Sequence, residues 1–585
     1  MYLEKINNVS DLKKFNSEEC QALASEIRQA ILNTVSANGG HLASNLGVVE
    51  LTIALHYVFE SPEDKIVFDT SHQCYTHKIL TGRKDAYVGE IGYKKISGYT
   101  NPKESKHDLF EIGHTSTSIS LACGLAKARD QRNGRENVIA LIGDASLGGG
   151  VALEALSFAG SELNSNLIVV VNDNQMSIAE NHGGLYTGLA ELRKSKGKSI
   201  NNIFTFMGYD YIFVDDGHDI KSLINAFRKV KGHSKPIVVH VHTKKGKGYE
   251  IAEKYVEESH FVKPFDKILG NIQQEVCGER YDVIVRDYLI YKMKRDLQVI
   301  FMTAAYPGAL AFSREYREQL GDQYVDVGIS EQHLITMAAG IAKNGGKPVV
   351  STRSTFFQRA YDQIAHDVCI NNIAITMVVV NASVYVSTDK THIGIFDIAM
   401  MSNIPNLVYL APTNKEEYLA MLEWSIEQDK YPVAIRAPRN GVFYAHREVQ
   451  KNYSEINKYE ITKHGEQVAV LALGDFYQIG EHLCLKIEDE LGFSATLVNP
   501  RYITGIDIEC LDMLAQKHNI IVTLEDGILD GGFGQKIASF YGKYDIKVLN
   551  YGIKKEYCDE YDVKATLQEN RIDSGMILED IEKLF

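Results

Sequence analysis

Long apolar runs, an excess of basic residues and a recognisable targeting segment are all absent from the sequence. The longest apolar stretches, such as residues 373–380, reach only about eight residues, whereas a helix that spans a bilayer needs roughly 20. Residues 1–16 mix both charge signs and have no apolar core, which argues against a signal or transit peptide. The net charge of −14 disfavours a nucleic-acid partner and favours solubility. We therefore expect no nucleic acid and no membrane as partner.

Cysteine is scarce and scattered along the chain. The 585 residues contain eight cysteines, with no C-x-x-C pair and no cysteine–histidine spacing of the kind that binds zinc. Such a pattern is typical of a reduced, cytoplasmic protein without a disulfide framework or a structural zinc ion.

Short apolar, β-branched runs alternate with longer amphipathic stretches. This alternation predicts an α/β fold of mainly parallel sheets covered by helices on both faces. The predicted strands are 65–69, 138–142, 167–171, 237–241, 299–303, 348–351, 374–380, 468–473, 495–498, 519–524 and 546–550. Polar stretches at 262–280 and 447–467 are typical of linkers. We therefore expect three domains, at 1–275, 280–450 and 460–585.

An aspartate stops the apolar strand 138–142, and Asn174 follows the next strand. Consecutive strands of a parallel sheet end at one edge, where ligands bind, so Asp144 and Asn174 are expected to converge. Carboxylate and amide oxygens suit Mg²⁺, which usually completes its shell with substrate phosphates. Small residues at 145, 146, 148 and 149 would let a diphosphate approach the following helix N-terminus. The alternative is that Asp144 merely caps that helix.

The spacing of these residues matches a cofactor signature. Asn172 follows Asp144 by 28 residues, the spacing of the thiamine-diphosphate motif, although Ala145 replaces its usual glycine. The chain resembles the transketolase family, and most closely its 1-deoxy-D-xylulose 5-phosphate synthase branch. The supporting stretches are 39–59, 69–85, 113–120, 243–254, 326–342 and 354–368. This resemblance covers essentially the whole chain and implies a three-domain transketolase-like fold, a homodimer, thiamine diphosphate and Mg²⁺.

The resemblance implies which residues hold the cofactor. Asp144, Asn174 and the main-chain carbonyl of Met176 match the family's metal ligands. Other cofactor-binding positions are matched by His72, His114, Ser116, Ile178, Lys254, Phe356 and Arg359. Taken alone, Ile178 fits an ordinary core position better, and the hydroxyls around Ser116 are also typical of a helix cap.

Four catalytic residues are implied in the same way. Glu331 matches the acid that contacts the aminopyrimidine ring and promotes loss of the thiazolium proton, although a surface glutamate at a helix start is the alternative. His41 and His260 match histidines that face the donor and the reacting carbon. His392 is chosen because its flanking residues match. Imidazole suits proton delivery near neutral pH.

The acceptor-binding pattern of the family is altered. A tyrosine, two arginines and an aspartate usually read the phosphorylated acceptor, and only Arg439 is in place. Arg353 stands at the tyrosine position, Asn381 at the other arginine position, and Thr388 at the aspartate position, with Asp389 next. Losing a guanidinium removes a rigid phosphate fork. Either Arg353 replaces the lost charge, or the acceptor differs, or the loop has drifted.

The resemblance implies a carboligase that decarboxylates pyruvate and transfers the two-carbon unit to glyceraldehyde 3-phosphate. A paralogue with another aldehyde acceptor and a transketolase with a ketose donor are alternative enzymes. A catalytically silent cofactor-binding or regulatory protein is the alternative of a different class. Retention of Glu331, Asp144, Asn174, His41 and His260 argues against the silent protein.

Overall fold

The chain folds into two compact units. The computed structural model describes residues 1–89, 92–270, 278–386, 389–558 and 562–585. The first unit is Met1–Val276 with Gly328–Ser330, and the second is Cys277–Val327 with Glu331–Phe585. Within the described ranges, no helix is both long and apolar enough to cross a membrane. The division into three domains stays a prediction.

A parallel five-stranded sheet forms the centre of the first unit. The strands of this unit are β1 (Gly40–His41), β2 (Lys65–Phe68), β3 (Val138–Gly143), β4 (Ile168–Asp173), β5 (Asp210–Val214), β6 (Ile237–His242) and β7 (Phe261–Val262). The order is β2-β3-β4-β6-β5, with every neighbouring pair parallel. β1 and β7 form a small antiparallel pair. Buried Val, Ile and Leu side chains on β3 and β4 explain why both were predictable as strands.

Helices cover both faces of this sheet. The α-helices of the first unit are Val9–Leu12, Ser17–Asn38, Ala43–Leu46, Val49–Val58, Tyr75–Lys78, Asp85–Val88, Ser118–Gln131, Asp144–Leu147, Gly150–Ser161, Gly184–Lys194, Ile203–Phe206, Ile220–Val230 and Glu250–Lys254. Leu3–Lys5 and Tyr93–Lys95 are 3₁₀ turns, and Ile79–Arg83 is a π turn. The longest of these helices begins at a capping box, because the Asn16 and Glu19 side chains each accept a backbone hydrogen bond from the other residue.

The second unit contains two sheets. Its strands are β8 (Val299–Thr303), β9 (Tyr324–Asp326), β10 (Lys347–Arg353), β11 (Thr376–Val380), β12 (Val408–Leu410), β13 (Val433–Arg436), β14 (Glu460–Lys463), β15 (Gln467–Ala472), β16 (Thr496–Asn499), β17 (His518–Ile528) and β18 (Lys547–Ile553). The six-stranded sheet has the order β12-β13-β11-β10-β8-β9 and is parallel throughout. The five-stranded sheet has the order β14-β16-β15-β17-β18, with only β14 antiparallel. The predicted α/β class is confirmed.

Helices again pack on both sheets of the second unit. Its α-helices are Tyr281–Met293, Arg314–Leu320, Glu331–Lys343, Ser354–Phe357, Tyr361–Gln363, Asp397–Met401, Lys415–Glu427, Tyr477–Leu491, Ile508–Ala515, Phe533–Tyr541, Val563–Glu569 and Ser574–Glu582. Shorter turns are Pro307–Leu310, Gly321–Gln323, Gln358–Ala360 and Gly474–Phe476 (3₁₀) and Ile364–Cys369 (π). In the six-stranded sheet, this arrangement leaves the carboxyl ends of β8, β10, β11 and β13 side by side.

Candidate active site

Asp144 begins a short helix directly after β3 and is almost fully buried. Asn181 Nδ2 donates a hydrogen bond to Asp144 Oδ2 at 2.8 Å. Asp144 Oδ1 and Asn181 Oδ1 have no hydrogen-bond partner among the described residues. Burial first, and then the charge of Asp173, raise the pKa of Asp144 to about 7. Because an unpaired buried oxygen is costly, the Oδ1 atom of Asp144 has the chemistry of a ligand for a divalent cation.

The neighbouring strand β4 ends in Asn172 and Asp173, and Asn174 follows it. Asp173 is buried and accepts hydrogen bonds from His240 Nε2 at 2.8 Å and Arg193 Nη1 at 2.5 Å. Burial opposes ionisation of Asp173, but the hydrogen bond and charge of His240 and those of Arg193 lower its pKa. Both hydrogen bonds reach Oδ2 of Asp173, and its Oδ1, like that of Asp144, has no hydrogen-bond partner among the described residues. Asn174 is half-buried.

Asn174 and Met176 lie in a tight loop. Met176 N donates to Asn174 Oδ1 at 3.2 Å, and Gln175 between them has a φ of +69°. Ile178, further along, is half-buried. Asn174, Met176 and Lys245 line a groove of about 390 Å³ within the first unit. Two of the three predicted metal-ligand positions, Asn174 and Met176, thus border a space open to a ligand.

The small residues after Asp144 do not all face open space, because two of the glycines make room for neighbouring side chains. A Cβ atom on Gly149 would lie 2.2 Å from Ser116 Oγ, and one on Gly148 would lie 2.4 Å from the Tyr186 hydroxyl. Ser116 has a φ of +75°. Its amide donates to Asp69 Oδ1 at 2.8 Å, and its hydroxyl donates to the Ser146 carbonyl at 2.8 Å. Gly148 and Gly149 therefore admit protein side chains, whereas Gly143 and Gly150 face open space.

Three predicted histidines cluster in the first unit. The ring centroids of His41 and His72 are 4.9 Å apart, those of His41 and His260 are 5.6 Å apart, and those of His72 and His260 are 5.3 Å apart. Asn45 Nδ2 donates to the carbonyls of both His41 and His72, at 2.9 and 2.7 Å. Burial, and then the positive charge of Lys245, lower the pKa of His260 well below its usual value. His260 is therefore a neutral imidazole at neutral pH.

Lys245 is a buried cation that the sequence analysis missed. Its ammonium donates to the Ser177 carbonyl and lies 3.3 Å from His260 Nδ1. Burial lowers the pKa of Lys245 to about 8. The predicted Lys254 is instead exposed, and its ammonium lies 5.1 Å from the centroid of the Tyr255 ring. Of the two lysines, Lys245 is the one that joins the histidine cluster.

His114 belongs to the first unit, and the other predicted cofactor and catalytic residues not yet described belong to the second unit. His114 is half-buried in the loop before the helix Ser118–Gln131. In the second unit, Glu331 is buried at the start of its helix, and Arg359 Nη1 lies 3.5 Å from Glu331 Oε2. Phe356 and His392 meet edge to face, with ring centroids 5.7 Å apart.

The acceptor positions surround a tyrosine that the sequence analysis did not single out. Asn381 Nδ2 donates to the Tyr306 hydroxyl at 3.1 Å. The Arg353 guanidinium carbon lies 5.8 Å from the centroid of the Tyr306 ring. Burial opposes ionisation of Tyr306, but the charge and hydrogen bond of Arg353, followed by the hydrogen bond of Asn381, lower its pKa below the usual value. Arg439 adds a weaker electrostatic effect, and Thr388 lies outside the described residues.

Sequence comparisons cover the chain in three parts. Residues 3–201 and 195–243 match the family described as 1-deoxy-D-xylulose-5-phosphate synthase. Residues 281–443 match the transketolase pyrimidine-binding domain, and residues 457–577 match the transketolase C-terminal domain.

Two relatives that match over nearly the full length of the chain are both 1-deoxy-D-xylulose-5-phosphate synthases. The 1-deoxy-D-xylulose-5-phosphate synthase of Alkaliphilus oremlandii is 39% identical, over 100% of this chain and 99% of its own. The synthase of the same name from Lachnoclostridium phytofermentans is 38% identical, over 99% of this chain and 98% of its own. Among solved structures, the transketolase of Campylobacter jejuni is 17% identical with a TM-score of 0.45, over 97% of this chain and 100% of its own.

Proposed function

This chain belongs to the 1-deoxy-D-xylulose-5-phosphate synthase family, a thiamine-diphosphate-dependent branch of the transketolase-type transferases, and we propose that it makes 1-deoxy-D-xylulose 5-phosphate from pyruvate and D-glyceraldehyde 3-phosphate. The full-length match at 39% identity is the observation that carries the proposal. The structure supports it through the chemistry of the residues that stand at the predicted positions.

The reaction exchanges one carbon–carbon bond for another. The bond between the carbonyl and carboxylate carbons of pyruvate breaks, and the carboxylate leaves as CO₂. The electron pair of that bond forms the new bond to the aldehyde carbon of the acceptor, and the aldehyde oxygen takes up a proton. Thiamine diphosphate, when bound, supplies the electron sink that this step requires.

Residues of the first unit hold the metal and face the donor in this proposal. The unpaired Oδ1 of Asp144 would bind Mg²⁺ together with Asn174 and the Met176 carbonyl, which is the chemistry that Mg²⁺ prefers. His260, kept neutral by burial and by the nearby Lys245 charge, would offer an imidazole nitrogen for a hydrogen bond at neutral pH. His41, whose ring lies beside those of His72 and His260, would face the donor, and His72 would line the diphosphate and thiazolium of the cofactor.

Residues of the second unit hold the aminopyrimidine part of the cofactor in this proposal. Glu331 is buried at a helix start and close to Arg359, so its carboxyl group is positioned rather than free in solvent. Phe356 would stack on the ring and His392, which packs on Phe356, would help to orient the substrate.

We also infer a homodimer, since dimerisation is a property of the family.

The acceptor phosphate is bound by the guanidinium groups of Arg353 and Arg439 in this proposal. Arg353 Nε has no hydrogen-bond partner within the described ranges, although it is buried. Arg353 therefore retains donor capacity for a phosphate oxygen. It stands at the position where the family resemblance implies a tyrosine, and it supplies the charge that Asn381 cannot.

Steady-state kinetics of Arg353→Ala test this assignment. We expect the KM for D-glyceraldehyde 3-phosphate to rise at least tenfold, because one charged hydrogen bond is worth about 1.5–3 kcal/mol. The KM for pyruvate should change less than about twofold. Equal increases in both KM values would remove Arg353 from the acceptor site. Arg314→Ala, which changes an exposed arginine of the same unit, is the matched control.

A further inference from the structure

Four polar side chains approach the carboxyl edge of the six-stranded sheet from four adjacent strands. They lie at or just beyond the carboxyl ends of β8, β10, β11 and β13, and they are Tyr306, Arg353, Asn381 and Arg439. Tyr306 and Arg439 each lie three residues beyond the end of their strand, Arg353 is the last residue of its strand, and Asn381 is the first residue after its strand. Ligands of parallel sheets bind at this edge, so the position itself points to a ligand.

The Tyr306 hydroxyl has donors as its neighbours. A phenol oxygen accepts up to two hydrogen bonds and donates one. Asn381 Nδ2 donates to it at 3.1 Å, and the guanidinium carbon of Arg353 lies 5.8 Å from the centroid of the Tyr306 ring. Neither an amide NH₂ nor a guanidinium can accept a hydrogen bond. The proton of the Tyr306 hydroxyl therefore requires an acceptor other than these two side chains.

The charge around Tyr306 identifies the kind of acceptor. Arg353 lies at the Tyr306 ring, and Arg439 acts on it electrostatically with the same sign. The buried Nε of Arg353 also has no partner within the described ranges. A group that offers several acceptor oxygens and negative charge would satisfy the phenol proton and the guanidinium together. A phosphate monoester has this chemistry.

We propose that Tyr306 is a specificity-determining substrate-binding residue, whose hydroxyl donates a hydrogen bond to a phosphate oxygen of the aldehyde substrate. The inference rests on the proposed function for the identity of that aldehyde. It adds a residue that follows β8, whereas the altered acceptor pattern of the sequence concerned only positions 353, 381, 388 and 439. Tyr306 then replaces the phenol lost at position 353, from a different strand.

The test uses Tyr306→Phe, which removes one oxygen and its proton and keeps the ring. We expect the KM for D-glyceraldehyde 3-phosphate to rise about 10-fold to 100-fold, as for the loss of a hydrogen bond to a charged group. The KM for pyruvate and the Kd for thiamine diphosphate should stay within about twofold. Preference for D-glyceraldehyde 3-phosphate over D-glyceraldehyde should fall by the same factor as the acceptor KM rises.

A matched control deletes the same atom elsewhere. Tyr316 also lies beside an arginine, with the Arg286 guanidinium carbon 4.5 Å from its ring centroid. Tyr316→Phe should leave every one of these constants unchanged. If Tyr306→Phe raises both KM values equally, or leaves the acceptor KM within twofold, the inference is wrong.

Two further measurements separate this inference from the proposed function. Calorimetric titration with inorganic phosphate should show binding to the wild-type protein that Tyr306→Phe weakens at least tenfold, whether or not the protein turns over pyruvate. In the wild-type protein, saturating phosphate should slow nitration of Tyr306 by tetranitromethane relative to Tyr316, as read by peptide mass spectrometry. Equal protection of both tyrosines, or phosphate binding that Tyr306→Phe does not change, would overturn the inference. If Tyr306→Phe weakens phosphate binding but the wild-type protein shows no synthase turnover, the inference about Tyr306 stands and the proposed aldehyde substrate is rejected.

Discussion

Replacing Arg436 by methionine should destabilise the second unit strongly, because Arg436 neutralises buried carboxylates. Its side chain is 4% exposed, and those of Asp397 and Asp526 are each 1% exposed. Arg436 Nε donates to Asp397 Oδ2 at 2.8 Å, and Nη1 donates to Asp526 Oδ1. Burial raises the pKa of Asp526 to about 7 even with the arginine present. Removing one partner of such a buried pair typically costs about 3–5 kcal/mol.

The chain offers a direct probe of this effect. Trp424 is its single tryptophan, and it is buried in the second unit, with its ring centroid 5.9 Å from that of Tyr453. Urea unfolding followed by tryptophan fluorescence therefore reports the stability of that unit. We expect Arg436→Met to lower the free energy of unfolding by about 3–5 kcal/mol. Arg314→Met, which breaks an exposed pair with Glu318, should cost less than about 0.5 kcal/mol. A loss below about 1 kcal/mol for Arg436→Met would refute the reasoning.

Three further changes probe the metal position, a close backbone contact and buried histidines. Asp144→Asn should weaken Mg²⁺-dependent thiamine diphosphate binding, measured by calorimetry at several Mg²⁺ concentrations, because it removes the only charge among the proposed ligands; an unchanged Mg²⁺ dependence would contradict the assignment. Gly394→Ala should raise the acceptor KM and lower stability by about 1–3 kcal/mol, because the added Cβ would lie 1.9 Å from the Asn381 carbonyl oxygen; kinetics and thermal unfolding both like those of the wild type would count against it. Burial lowers the pKa values of His56 and His77 below 6.5, so the unfolded chain binds protons first and stability falls as pH drops below 6.5. Each such histidine contributes up to about 1.4 kcal/mol per pH unit. His56→Gln should flatten this slope in urea unfolding monitored by circular dichroism between about pH 7 and about pH 5.5, and an unchanged slope would contradict the account.

The sequence predicted most of the strands that have five or more residues. β3 and β4 are continuous apolar runs, and the expectation that Asp144 and Asn174 follow neighbouring strands is confirmed by the β3–β4 pairing. β5 was missed, since its exposed Asp210 and partly exposed aromatic residues interrupt the apolar pattern of an edge strand. β9, β12 and β13, which have three or four residues each, were also missed.

The site was predictable only where a family motif marks it. Asn181, Lys245 and Tyr306 were missed because each acts through a neighbour that is distant in sequence. Tyr306 contacts Asn381 because β8, β10 and β11 lie side by side. The local pattern of apolar residues does not predict this strand order. The motif around Glu331 pointed to a residue that is indeed buried at a helix start. Its catalytic role stays a proposal.

The most direct test of the account is product identification with the wild-type protein, thiamine diphosphate, Mg²⁺ and carbon-13-labelled pyruvate. The mixture is followed with and without D-glyceraldehyde 3-phosphate, and CO₂ release and the labelled product are measured by NMR. The account predicts CO₂ release that depends on the aldehyde, with labelled 1-deoxy-D-xylulose 5-phosphate as the product. CO₂ release without that product, or no turnover while the cofactor is bound, would contradict the proposed reaction.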